Sequence, residues 1–145
     1  MDSPTRSNPP RTAYPFLPVP FLELLGIKPI HVANGKANLT IEMQPQLRNL
    51  YDGVHGGVLM TLFDVAMASA AVSHADFRNT VVTLNISVNF LAPSNGKLTA
   101  SAEVTGGGKS IVFCDGHIVD CEGKLVATAL GSFKYLQIPD DNSAR

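Results

Sequence analysis

Between Val58 and Val72 the chain is apolar at nearly every position, interrupted only by Thr61, Asp64 and Ser69. A helix apolar around its whole circumference has to be enclosed on all sides, which no surface helix is. Asp64 is the anomaly within it. Burying a carboxylate without partners is costly, and acidic residues are rarely found deep in a core unless something uses them. Just upstream, Gly56 and Gly57 open the helix, although glycine costs about 1 kcal/mol against alanine in a helix interior. Bare backbone N–H groups at a helix start attract negative charge. An acid in an apolar helix and naked amides at its start are the two parts a hydrolytic site needs.

Spacing adds a constraint. His55 and Asp64 stand nine positions apart, and on one helix that places them on opposite sides, roughly 13 Å apart along the axis. They cannot meet within one copy of the segment. Two readings stay open: unrelated roles, or two copies paired about a two-fold axis with Asp64 facing the partner's His55 and Gly56. The second is the expectation carried forward.

The rest of the chain reads as one domain of 145 residues, long enough for a proper core. Eleven basic and 12 acidic residues leave no basic stripe, so no nucleic-acid partner is expected. No apolar run reaches the ~20 residues of a membrane span. The N-terminus lacks a secretory apolar segment, so a cytoplasmic location is expected. Cys114 and Cys121 match neither a metal spacing nor a redox pair; they are expected to be small buried or turn residues with free thiols. No metal site is expected and no cofactor.

Residues 1–20 hold six of the ten prolines and read as a flexible arm. Phe21 to Leu25 suggests a short helical turn stopped by Gly26. Ile30–Ala33 and Ala37–Met43 flank Asn34-Gly35, a favoured hairpin pair. Gln46–Gly53 is the loop into the central helix. Val82, Leu84, Ile86, Val88 and Phe90 alternate with Thr83, Asn85, Ser87 and Asn89, predicting a strand with one apolar and one polar face. Strands over 98–105, 110–119 and 125–136 follow, with Gly106–Gly108 read as a plain hairpin. The last strand is apolar on both faces, which suits an interior place in the sheet. The expected class is α+β, an antiparallel sheet of about six strands wrapped around one long central helix. One sheet covers one side of a helix only, so the other side again implies a second copy. Residues 21–138 form the domain and 139–145 a polar tail.

Asn49, then His55-Gly56-Gly57, then Asp64 resembles the signature of hotdog-fold acyl-CoA thioesterases of the PaaI-like type, over roughly Phe21 to Leu136. The resemblance implies an acyl-CoA substrate, hydrolysis to a free acid and CoA, and a homodimer that pairs again into a dimer of dimers. It implies that Asp64 activates water or attacks the thioester itself. Gly56 would offer its N–H to the oxyanion, and Asn49 and His55 would orient the water or the thioester. Thr83 falls where relatives place a hydroxyl close to the attacking water. Gly57 joins the substrate-binding set, and Lys109 falls where relatives contact the nucleotide of CoA. Met60, Phe63, Met67 and Leu84 are candidates for an acyl pocket. The competing readings are an Asp64 held structurally by Thr61 or by backbone donors, a Thr83 that is merely part of a polar strand face, and a non-catalytic acyl-CoA binder.

Overall fold

A computed structural model describes residues 19–138; the tail 139–145 and all of the N-terminal arm but Val19 and Pro20 lie outside that range. Pro20, the last residue assigned to the arm, instead begins helix α1, Pro20–Leu25, where its fixed φ and missing N–H fit the first helical position. Then come strands β1, Lys28–Ala33, and β2, Lys36–Glu42. They are joined by Asn34 and Gly35 at φ 53° and 76°, a left-handed pair that suits the twist of a two-residue hairpin. The central helix α2 runs Gly56–His74. Strands β3, Asn79–Phe90, β4, Lys97–Gly107, β5, Ile111–Val119, and β6, Leu125–Gln137, complete the domain.

The six strands form one sheet in the order β1-β2-β4-β5-β6-β3, with every neighbouring pair antiparallel. This is the α+β architecture expected, with β6 paired on both sides as its apolar character demands. Pro29 sits in the edge strand β1, beside a bulge, where a missing N–H does least harm.

The sheet can hold a helix as bulky as α2 because its inner face is lined by small residues. Ala37, Ala100, Ala102, Ala127 and Ala129 are buried there, with Gly116 and Gly131 among them. A Cβ on Gly131 would stand 2.8 Å from the Phe133 ring and 3.0 Å from the Met67 methyl; one on Gly116 would stand 3.0 Å from Phe63. Those spaces belong to the helix, so Phe63 and Met67 are fully buried in the sheet's concavity. The helix is also tied by polar bonds. Tyr135 Oη donates to Ala71 O at 3.0 Å and Cys114 Sγ to Met67 O at 3.5 Å. Ser73 Oγ donates to Ala70 O and accepts from the Gly35 N–H, joining the helix end to the first hairpin. Burial, then the neighbouring Asp115 carboxylate, pushes the Cys114 thiol up to about 12, leaving it a packing group. Cys121 is exposed and also free.

By length and composition α2, at 19 residues and mean hydropathy 1.5, could cross a membrane, yet 61% of that stretch is buried in the chain's own fold. What the sheet leaves uncovered is a stripe. Gly57 and Met60 are exposed and Thr61, Asp64, Val65 and Ala68 half-buried, and their spacing of three and four places them along one side of the helix.

Candidate active site

Asp64 lies on that uncovered stripe, at the floor of a cleft of about 750 Å³. Its partner is Thr83, whose Oγ1 donates to Asp64 Oδ1 at 2.5 Å. The other carboxylate oxygen takes no donor among the described residues. Thr61 is not the partner: its hydroxyl donates to Gly57 O, one turn back on α2.

The contact depends on a β-bulge. Parity puts Thr83 with Asn85, Ser87 and Asn89 on the polar side of β3, but the register shifts between Thr83 and Asn85. Leu84 is the extra residue. Downstream of it Ile86 and Val88 turn towards the core; upstream the inward side passes to Val81 and Thr83, while Val82 is left exposed. Bulges re-aim side chains in this way, commonly beside functional sites. The expected alternation is therefore corrected for residues 82–84, where Val82 and Leu84 are exposed, and the correction brings Thr83 to the acid.

At the start of the helix His55 is the N-cap, with φ −61° and ψ 136°. Its Nδ1 accepts from the Gly57 N–H at 2.9 Å. A Cβ on Gly57 would sit 3.1 Å from that ring nitrogen, so the bare glycine is what lets the imidazole fold over the helix start. The Gly56 N–H has no acceptor among the described residues. Asn49 holds the approach to the helix: its Oδ1 accepts from the N–H groups of Tyr51 and Gly53, at 2.8 and 3.0 Å, and its Nδ2 donates to Val54 O at 3.5 Å. Its amide thus faces the loop's own backbone. His55, Gly57 and Arg48 line a second, smaller cleft of about 320 Å³. The sequence-derived candidates therefore divide into two groups within one chain, Asp64 with Thr83 and Gly56 with Gly57, His55 and Asn49. Lys109 belongs to neither; it is exposed in the turn between β4 and β5, beyond both cleft linings. Among the described residues no group of three or more His, Cys, Asp or Glu could hold a metal ion.

A family model described as the thioesterase superfamily matches residues 51–127, which include Gly56, Asp64 and Thr83. This chain belongs to the thioesterase superfamily. Among its relatives, it is 34% identical over 109 residues to the acyl-coenzyme A thioesterase PaaI of Escherichia coli, spanning 74% of this chain and 76% of that one. It is 31% identical over 105 residues to the 1,4-dihydroxy-2-naphthoyl-CoA hydrolase of Listeria monocytogenes, spanning 72% and 85%. The solved structure of the E. coli PaaI protein superposes with a TM-score of 0.75 at 31% identity, covering 80% and 83%. The PaaI-like hotdog assignment made from the motif holds.

Within this thioesterase-superfamily domain, two of the pocket candidates are corrected. Phe63 and Met67 are core residues at zero exposure, because they point from α2 into the sheet. Met60 and Leu84 do line the Asp64 cleft. Missing from the sequence-derived set were Phe21 and Leu22, which form a wall of that cleft. Their segment was read only as a helical turn, and nothing in its composition says which surface it lies on. Phe21 and Thr61 border both clefts.

Proposed function

We propose that this protein hydrolyses acyl-CoA or aryl-CoA thioesters to a carboxylic acid and CoA, at sites shared between two copies of the chain. The observation that carries the proposal is the Thr83–Asp64 hydrogen bond in an open, apolar-walled cleft, with an unspent Gly56 N–H at the start of the same helix. Thr83 fixes the carboxylate's orientation and leaves one oxygen for the reaction. That oxygen takes the proton of an attacking water, or adds to the thioester carbonyl itself to give an anhydride that water then opens. In either course the C–S bond breaks, the thiolate leaves and is protonated, and the acid is released. The carbonyl oxygen turns negative on the way. A preset N–H aimed at it is worth roughly a hundredfold to a thousandfold in rate, and Gly56 at a helix N-terminus is suited to that task.

Within one chain the acid and the amide lie about 12 Å apart along the helix axis, too far to act on one carbonyl. Two-fold pairing of α2 against α2 brings each acid to the partner's glycines and encloses the uncovered stripe. The free edge of β3, where Leu84 and Phe90 are exposed, supports pairing on the same side, since proteins seldom leave such an edge open. Asn49 and His55 act as positioning residues for the Gly56 end, and Gly57 and Lys109 as contacts for the CoA moiety. Two free cysteines suit a cytoplasmic setting.

A thiol-release assay over short-, medium- and long-chain and aryl CoA esters tests the activity. Asp64→Asn is expected to lower turnover by roughly a hundredfold to ten-thousandfold while ester binding, followed by calorimetry, persists. Binding without turnover in the parent chain would favour an acyl-CoA sensor instead.

A further inference from the structure

We infer that Phe90, at the end of β3, is a positioning residue for the oxyanion amide: its ring fixes the Gly56 N–H and keeps water from one side of it. The inference rests on the thioesterase reading and deepens it.

Glycine is a poor helix former, and the backbone at Gly56 does not call for it, since its φ lies outside the left-handed region. What the position calls for is room. A Cβ on Gly56 would stand 3.3 Å from two carbons of the Phe90 ring, inside the roughly 3.5–4.0 Å of a good carbon contact. The ring thus takes the place of a side chain at residue 56. On a helix the Cα–Cβ bonds tilt towards the N-terminus, the end from which the first N–H groups emerge. Phe90 therefore lies at the mouth of α2, beside the amide that has no acceptor among the described residues.

The ring is not there as core. Ile86 and Val88, which precede it on the same side of β3, pack against the core, while Phe90 takes no part in it and is half exposed. Its backbone is nevertheless held from two directions. Phe90 pairs with Ala127 of β6, and the Leu91 N–H donates to Val126 O at 2.9 Å. Further on, Ser94 O accepts the Val54 N–H at 2.9 Å and Asn95 Nδ2 donates to Asp52 O at 3.4 Å, which ties this end of the strand to the loop entering α2. The contact lies within one chain, so pairing of two copies keeps it. β3 then serves both halves of the site, with Thr83 orienting the acid and Phe90 the amide. The ring stops the helix start from shifting towards the strand, where a misplacement of about 1 Å costs on the order of a hundredfold in rate. It also replaces water by hydrocarbon on one side of the N–H, and a hydrogen bond to a developing oxyanion is stronger there than in water.

The test is a double-mutant cycle on the full chain, Gly56→Ala, Phe90→Ala and both together, with hexanoyl-, palmitoyl- and benzoyl-CoA as substrates. Rates are read at protein concentrations where sedimentation velocity shows each variant assembled as the parent is. Phe90→Ala should lower kcat by roughly tenfold to a hundredfold with KM nearly unchanged. The factor should be the same on all three esters, because the ring acts through the amide and not on the acyl group. Phe90→Leu, which keeps apolar bulk at the strand edge without the flat ring, should show a smaller loss of the same kind. Gly56→Ala should cost about tenfold in the parent and less than about threefold once the ring is gone, since the three atoms nearest that Cβ all belong to Phe90. Phe113→Ala, at a comparably exposed phenylalanine on the outer face of the sheet, should leave kcat unchanged. Equal costs of Gly56→Ala with and without the ring, a loss confined to KM or to one ester, or two Phe90 variants that no longer assemble would overturn the inference and leave the hydrolase standing. A parent with no turnover on any ester would remove both.

Discussion

Thr83 and Asp64 show how much of a site can hang on one residue's orientation. A hydroxyl bonded to a charged group contributes roughly 1.5–3 kcal/mol, here used to hold a carboxylate at an apolar cleft. Thr83→Val preserves shape and removes the donor, so kcat should fall roughly tenfold to a hundredfold. Thr83→Ser should keep most of the rate and unfold at nearly the parent's denaturant midpoint, while Thr83→Val should also lower that midpoint by part of the bond's contribution. A loss for serine with valine near the parent's rate would mean that packing by the methyl group, and not the hydrogen bond, is what Thr83 supplies. The acid, the glycines and the capping histidine were all legible in the sequence, because each is an oddity for its place: a charge in an apolar run, flexible residues at a helix start. The Thr83 contact was reachable only through family resemblance. The bulge that creates it centres on Leu84, which carries no glycine or proline to announce a break in the ladder.

At the scale of elements, the helix and the hairpins were readable because their signals are local. Asn34-Gly35 marks a turn by backbone conformation, and the length of the apolar run marks an enclosed helix. Which way that helix faces was not readable. With apolar residues on every side, the pattern has no phase, so Met60 and Phe63 look alike in sequence while one lines the cleft and the other is fully buried. The same ambiguity hid the role of α1, whose Phe21 and Leu22 matter for the surface they border. Stability separates the two kinds of residue. Phe63→Ala should cost roughly 3–5 kcal/mol by leaving a cavity against Gly116. Met60→Ala, at an exposed position, should cost about 0.5 kcal/mol while altering KM for acyl-CoA. Denaturant melts of the two variants check this; similar losses would mean that Met60 is as much a core residue as Phe63.

For the whole molecule, the uncovered helix stripe, the free β3 edge and a loop that presents Leu50 and Tyr51 at 89% and 86% exposure lie together around the N-terminal half of α2. Asn49 holds that loop in shape through its bonds to Tyr51, Gly53 and Val54, so the two side chains are displayed by a fixed support. On the opposite, outer face of the sheet Phe113 and Leu130 are also exposed; they flank neighbouring positions of β5 and β6, since Asp115 pairs with Leu130 and Phe113 with Ser132. Two separate apolar areas suit two kinds of contact, and a dimer of dimers is the expected assembly. Sedimentation velocity should give a tetramer for the parent. Phe113→Lys with Leu130→Lys should give dimers that retain turnover; inactive monomers from that variant would place the catalytic interface on the outer face instead.

Sharing of the site is the central claim, and mixed dimers test it most directly. Gly56→Pro removes the N–H at the first helical position, where proline is tolerated, and His55 at φ −61° and ψ 136° already has the backbone that proline requires before it. Asp64→Asn removes the acid. Each variant alone should be nearly inactive. Co-expressed with different tags and purified as the heterodimer, they should regain about half of the parent's turnover, because one of the two symmetry-related sites then has both its acid and its amide intact. A heterodimer as inactive as either variant alone would contradict the account.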